Sequence, residues 1–269
     1  MRNMAIYQDK VFVATTDARL VALDARTGKK VWDTPIADRA KGYANTAGPI
    51  VIKGVVVNGL VGCDRYGNDG CWISGYDAAT GKQLWKFNTV ARTGQPGADT
   101  WGKLADNLRV GGETWIAGSY DPDLDLTYWG VAQAKPWMRA QPRHDEFRQR
   151  AVSRARRVAL RPKDGTLAWH YQHAPGESLD LDEVFERVLV DIGDQKVVFT
   201  IGKPGILWKL DRRTGKFLDY KETVFQNVFE SIDPKTGTPT VSRRHPRAAN
   251  RTVGRSRVRA PRADTTGRR

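Results

Sequence analysis

Helical periodicity is weak throughout these 269 residues, which removes helical and mixed α/β folds from consideration; only Glu183 to Val190 leaves room for one short turn. No apolar run approaches the roughly 18 residues needed to cross a bilayer as a helix. No charged start followed by an apolar stretch is visible either, so no signal peptide can be read. Met1-Arg2-Asn3-Met4 passes almost directly into a strand pattern, an abrupt opening that suggests an internal piece of a longer protein. Cysteine is scarce. Cys63 and Cys71, eight residues apart, can close one disulfide in an oxidising compartment, but two cysteines make no stapled scaffold.

Acidic residues are also short, 30 against 44 basic ones, for a formal charge of +14. That excess is confined to two places. Residues 241–269 hold ten arginines, no lysine and one acid (Asp264), for +9; residues 139–157 hold seven arginines against Asp145 and Glu146, for +5. The remainder of the chain is electrically balanced. A nucleic-acid-binding face spreads lysine and arginine over ordered structure among polar and aromatic residues that read bases, and neither segment has apolar periodicity, so nucleic acid is not expected as a partner. Both segments are rich in Arg and Ala and free of lysine, unlike their surroundings. They read as out-of-frame or otherwise non-native stretches, or else as a basic loop and a disordered tail. Resequencing the coding region separates the two.

What the chain does have is a repeat. Val21-Ala22-Leu23-Asp24-Ala25-Arg26-Thr27-Gly28-Lys29-Lys30-Val31-Trp32 returns as Ser74-Gly75-Tyr76-Asp77-Ala78-Ala79-Thr80-Gly81-Lys82-Gln83-Leu84-Trp85. A degenerate copy runs from Val158 to Trp169, a fourth from Trp208 to Leu218, and Ile232 to Gly237 is a partial fifth. An alternating strand enters Asp-x-x-Thr-Gly, where Asp bonds nearby backbone and Gly supplies a positive φ, and a second strand then ends on Trp. Each copy is a hairpin. Hairpin repeats of about 40–50 residues point to propeller blades, and a Trp recurring at a strand end suits packing between blades better than chemistry. The expected fold is all-β.

The Ala5-Ile6-Tyr7-Gln8-Asp9-Lys10-Val11-Phe12-Val13 segment, the repeats and two further stretches together carry a resemblance. Those stretches are Gly118-Ser119-Tyr120-Asp121-Pro122 with Leu126-Thr127-Tyr128-Trp129-Gly130, and Gly202-Lys203-Pro204-Gly205-Ile206-Leu207-Trp208. Over most of residues 2–138 and 158–240 the chain resembles the pyrroloquinoline-quinone-dependent alcohol dehydrogenases. The resemblance implies an eight-bladed β-propeller with the quinone in its central channel, of which residues 1–240 supply about half of the blades. It also implies a periplasmic location, a small-molecule alcohol as substrate and a cytochrome c-type electron acceptor. An open half-ring exposes sheet edges, so the isolated chain is expected to be unstable and weakly active.

By the same resemblance, Arg2 and Thr46 contact the quinone, and Trp115 forms a flat aromatic floor beneath it, although its indole also suits blade packing. Asp180, in Pro175-Gly176-Glu177-Ser178-Leu179-Asp180-Leu181-Asp182, falls at the catalytic base, with Leu179 where the family has tryptophan. Lys203 falls at the cation that bonds the reactive quinone oxygen. The metal, calcium or a lanthanide, is assigned to Gln133 (asparagine in the family), Asp180 and Asp182; the family's metal-binding glutamate has no clean match and falls near Asp64 or Tyr66. The family's adjacent cysteine pair has no counterpart, and Cys63 and Cys71 are not that pair. A non-catalytic propeller scaffold, as in outer-membrane assembly lipoproteins, is the competing reading. A basic adaptor working through its arginine tail is the third.

Overall fold

A computed structural model describes residues 2–65, 69–101, 103–135, 156–174 and 180–241. Strands account for most of it, and they form four four-stranded antiparallel sheets whose strands pair in chain order, except that the third skips one strand, Ala134–Lys135, which pairs elsewhere. The first sheet is β1 (Ala5–Tyr7), β2 (Lys10–Thr15), β3 (Arg19–Asp24) and β4 (Lys30–Pro35); the second is β5 (Ile50–Ile52), β6 (Val55–Asn58), β7 (Trp72–Asp77) and β8 (Gln83–Asn88). A two-stranded ribbon of β9 (Val110–Gly111) and β12 (Ala134–Lys135) flanks the third sheet, built from β10 (Ser119–Asp121), β11 (Leu126–Val131), β13 (Arg156–Leu160) and β14 (Leu167–Gln172). The fourth is β15 (Val188–Ile192), β16 (Gln195–Ile201), β17 (Ile206–Asp211) and β18 (Phe217–Glu222), and a hairpin of β19 (Phe229–Ile232) and β20 (Pro239–Val241) follows.

These sheets are propeller blades, and the apolar core lies between neighbours rather than at one centre. Phe12, Leu20 and Ala22 of the first blade pack with Val56 and Tyr76 of the second. Ile52, Val57 and Ile73 of the second meet Trp129, Val158 and Leu160 of the third. Tyr128 and Ala159 of the third meet Val198, Ile206 and Trp208 of the fourth.

The repeated turn is what locks one blade to the next. In every copy the Gly N–H closes a ring onto the carbonyl four residues back: Gly28 to Asp24, Gly81 to Asp77, Gly165 to Arg161, Gly215 to Asp211 and Gly237 to Asp233, all at 2.8–2.9 Å. The five glycines sit at φ of 69–74°. Trp32 donates its Nε1–H to the Ala78 carbonyl at 3.1 Å, Trp85 to Pro162 at 2.9 Å and Trp169 to Arg212 at 3.1 Å, each reaching the turn of the next blade. The indoles lie so close that a Cβ on Gly165 or Gly215 would meet them at 2.4 Å. The recurring Trp is therefore an inter-blade contact. The degenerate copy keeps the backbone ring although Arg161 replaces the aspartate, because Asp164 bonds the Thr166 N–H instead. At the next junction Asp219 stands where the Trp would be, and Phe217 with the Tyr171 hydroxyl covers Gly237.

Two expectations change in detail. Glu183 to Val190 contains no helical turn; the segment bends and enters β15 at Val188. The basic segment 139–157 reaches into a blade, since Arg156 and Arg157 pair with Val131 and Gly130 in β13. Residues 139–155 and 242–269 otherwise lie outside the described residues. Among those described, no helix is long and apolar enough to cross a membrane.

In a four-stranded antiparallel blade, the entry to the first strand and the loop between the second and third lie at one end. The turn between the third and fourth lies at the other. All the repeated turns therefore share one end of the blades, and the long irregular loops share the opposite end.

Candidate active site

A cavity of about 360 Å³ opens at the irregular end. Arg2, Thr46, Asp64, Trp115, Gln133, Asp180 and Asp182, all singled out from the sequence, line it together with Val61, Gly62, Glu113, Ala132 and Lys135. They come from all four blades. Arg2, Thr46, Trp115, Asp180 and Asp182 precede the first strand of a blade, while Asp64, Gln133 and Lys203 follow a second strand.

The backbone explains the convergence. Asn3 donates its side-chain amide to the Pro49 carbonyl at 3.0 Å, and Gly48 lets the two segments touch: a Cβ there would lie 2.0 Å from the Asn3 carbonyl oxygen. Arg2 is thereby brought beside the Thr46 turn. Residues 110–114 thread between two blades. Gly111 N–H bonds the Cys63 carbonyl at 2.7 Å and Thr114 N–H the Leu60 carbonyl at 3.0 Å on one side. On the other, Gly112 N–H bonds the Gln133 carbonyl at 3.2 Å and Ala132 N–H the Glu113 carbonyl at 2.8 Å. Cys63 and Cys71 form a disulfide, both fully buried, which closes the loop carrying Asp64.

Trp115 is half-buried. The Arg2 guanidinium stands 5.1 Å from the centre of its ring and donates to its carbonyl at 3.0 Å, and Phe185 meets it edge-on at 5.2 Å. Asp180, at φ 62°, receives the Gln133 amide on one oxygen and Lys203 Nζ on the other at 2.7 Å. Lys203 also pairs with Asp182 at 2.6 Å. Burial pulls this ammonium down, but the two carboxylates outweigh it and hold it above the usual lysine range. Burial pushes the Asp182 carboxyl up despite Lys203. Lys203 is the one assigned residue outside the cavity lining, and it is tied to that lining through Asp180 and Asp182. Tyr66, Pro175 and Leu179 lie outside the described residues.

Glu113 and Lys135 were not singled out from the sequence. Glu113 is 4% exposed, and its Oε1 takes Lys135 Nζ at 2.8 Å. Burial raises its carboxyl above the usual range against the pull of Lys135. The signal was present, since Val110-Gly111-Gly112-Glu113-Thr114-Trp115-Ile116 carries a single charge in an otherwise uncharged run. Nothing local assigned it a partner.

The arrangement sets an indole, a guanidinium, an ammonium, and carboxylate and amide oxygens around one cavity. The family model described as the β-propeller domain of glucose, ethanol and alcohol dehydrogenases matches residues 2–227. A quinohemoprotein alcohol dehydrogenase, ADH IIB, of Pseudomonas putida is 37% identical over 257 residues, covering 88% of this chain and 36% of that one. The chain thus spans little more than a third of that relative's length. Among solved structures, the quinohemoprotein alcohol dehydrogenase from Comamonas testosteroni superposes with a TM-score of 0.77 at 31% identity, covering 89% of this chain and 38% of the other. A europium-containing methanol dehydrogenase gives 0.76 at 28% identity, covering 89% and 44%. The chain belongs to the pyrroloquinoline-quinone-dependent alcohol dehydrogenases.

Proposed function

We propose that this chain supplies the cofactor cavity and the proton-accepting carboxylate of a quinoprotein that oxidises an alcohol to an aldehyde or ketone. The observation that carries the reading is convergence: residues as far apart as Arg2 and Asp182 line one cavity of about 360 Å³, a volume within the ~300–1,000 Å³ usual for small-molecule sites. A scaffold built from the same blades has no use for that convergence.

The residues suit the implied groups. The Trp115 face, flanked by Arg2 and Thr46, suits a planar polyanionic quinone. Gln133 is 2% exposed, and its Oε1 is buried with no hydrogen-bond partner among the described residues. Asp64, Asp180 and Asp182 line the same cavity, and carboxylate and amide oxygens are the donors that calcium or a lanthanide takes. When bound, pyrroloquinoline quinone supplies the two-electron acceptor and the cation polarises it.

The chain's own residues do the rest. Gln133 and Lys203 each donate to one oxygen of Asp180, which fixes the carboxylate group at the cavity wall. From there Asp180 accepts the alcohol proton as general base. Lys203 places an ammonium beside that carboxylate, and Trp115 and Arg2 orient the cofactor. The Cys63–Cys71 disulfide accords with a periplasmic location, and a cytochrome c-type acceptor would complete turnover.

The test is titration of the purified chain with pyrroloquinoline quinone plus calcium or lanthanum, read by absorbance and by dye-linked alcohol oxidation. Saturable binding with turnover that disappears in Asp180→Ala is expected. A folded chain that binds no quinone with either ion would sink the proposal.

A further inference from the structure

Neither Glu113 nor Lys135 has a role in the reading so far, yet both line the cavity. Glu113 uses one oxygen on Lys135, while its Oε2 is buried with no hydrogen-bond partner among the described residues. Gln133 gives its amide nitrogen to Asp180 and leaves its buried Oε1 equally bare. A buried acceptor without a donor is costly, and here two of them stand on adjacent backbone segments held by the Gly112–Gln133 and Ala132–Glu113 hydrogen bonds. A hard cation satisfies both oxygens at once; a neutral organic ligand has no comparable call on a carboxylate and an amide oxygen together.

Lys135 has the complementary position. Its ammonium is 2.8 Å from Glu113 and also feels the charges of Asp64 and Asp182 across the same cavity. Its stem enters from β12, paired to β9 through Lys135 and Val110, so the charge is tethered within reach of the carboxylates.

We propose that Glu113 and Gln133 are oxygen ligands of a hard cation in this cavity and that Lys135 is the cation's tethered substitute. The ammonium neutralises Glu113 while the ion is absent and releases the carboxylate when the ion arrives. The inference rests on the quinoprotein reading only in supposing that the cavity takes a cation at all. It predicts competition between a side chain and an ion, whereas a plain structural ion pair predicts none.

Terbium(III) luminescence, excited through the chain's tryptophans, reads occupancy without turnover. Glu113→Gln should weaken terbium binding about tenfold or more. Lys135→Met should tighten it about threefold or more, because the competing charge is gone. Should either single variant fail to fold, the double variant Glu113→Gln/Lys135→Met removes both charges and leaves no buried ion unpaired; it should fold and bind terbium about tenfold more weakly than the parent. Unchanged affinity in folded Glu113→Gln or in the double variant overturns the proposal, and so does a Lys135→Met chain that binds more weakly than the parent. Quinone binding to the same proteins, followed by absorbance, separates the two ideas. Quinone binding without any response of terbium to these substitutions defeats this inference alone. The expected terbium response without quinone binding defeats the cofactor reading alone.

Discussion

The two ends of the blades solve opposite problems. At the repeat end every turn has the same backbone ring, and three successive indoles fill three glycine faces while satisfying a carbonyl each. At the cavity end each loop differs, and buried oxygens of Glu113 and Gln133 have no partner among the described residues. The first end resembles a well-packed core and contributes stability. The second keeps polar groups unsatisfied, which is tolerable only where something else is to bind. One blade carries both ends, so the repeat end holds the scaffold against the cost of the cavity end.

Substitutions can break this comparison, and the largest effects belong at the repeat end. Gly165→Ala drives a Cβ to 2.4 Å from the Trp85 ring and places alanine at φ 71°. Left-handed strain of about 1–2 kcal/mol and overpacking of about 1–3 kcal/mol together lower the urea-unfolding free energy by about 2–5 kcal/mol. Gly28→Ala shares the conformation, φ 69°, but meets nothing within 4 Å. It should cost only the strain, about 1–2 kcal/mol. Equal losses in the two variants would show that the indole contact adds nothing.

At the cavity end, replacing Cys63 and Cys71 by serine should lower stability by about 2–3 kcal/mol, since the bridge closes a short loop. Hydrogen exchange sharpens the contrast. Protection should fall around residues 59–65 and 110–114, which the Gly111–Cys63 and Thr114–Leu60 hydrogen bonds join, and stay intact at the Gly81 and Gly215 turns. Loss of protection at both ends would mean that they are not separable.

The smallest effect is at a turn aspartate. The Thr80 hydroxyl and backbone N–H hold the Asp77 carboxyl below its ordinary value of 3.8. A carboxyl whose pKa is lower when folded stabilises the fold fully above that ordinary value and loses the contribution as pH falls through the folded one. Asp77→Asn should therefore destabilise by less than about 1 kcal/mol near neutrality. In paired thermal melts the difference from the parent should close as pH drops below 3.8. A difference that persists unchanged in acid would assign the effect to shape rather than charge.

Much of this was legible in the chain itself. Asp24-Ala25-Arg26-Thr27-Gly28 and its copies are complete local instructions: the aspartate, the glycine and the next strand lie within a few residues, so the hairpin follows from short-range chemistry. Trp115, Asp180 and Gln133 could be nominated because each stands in a motif that survives in one stretch of sequence. Glu113 and Lys135 could not, because what defines them is 22 positions of separation closed by a ribbon. Lys203 shows the same limit. Its motif gives no hint that its ammonium is shared between Asp180 and Asp182.

The sequence by itself determined the blade: alternating strands, a turn that needs Asp and Gly, and a terminal Trp, all encoded within one repeat. Only the tertiary structure decided which face of a neighbour each Trp meets, and which carboxylates share one cavity. The reason is physical. Hydrogen-bond rings and φ preferences act over a few residues, whereas charge pairing and burial act through space. Only the stacking of four blades brings Arg2, Glu113, Lys135 and Asp182 around the same few ångströms of solvent.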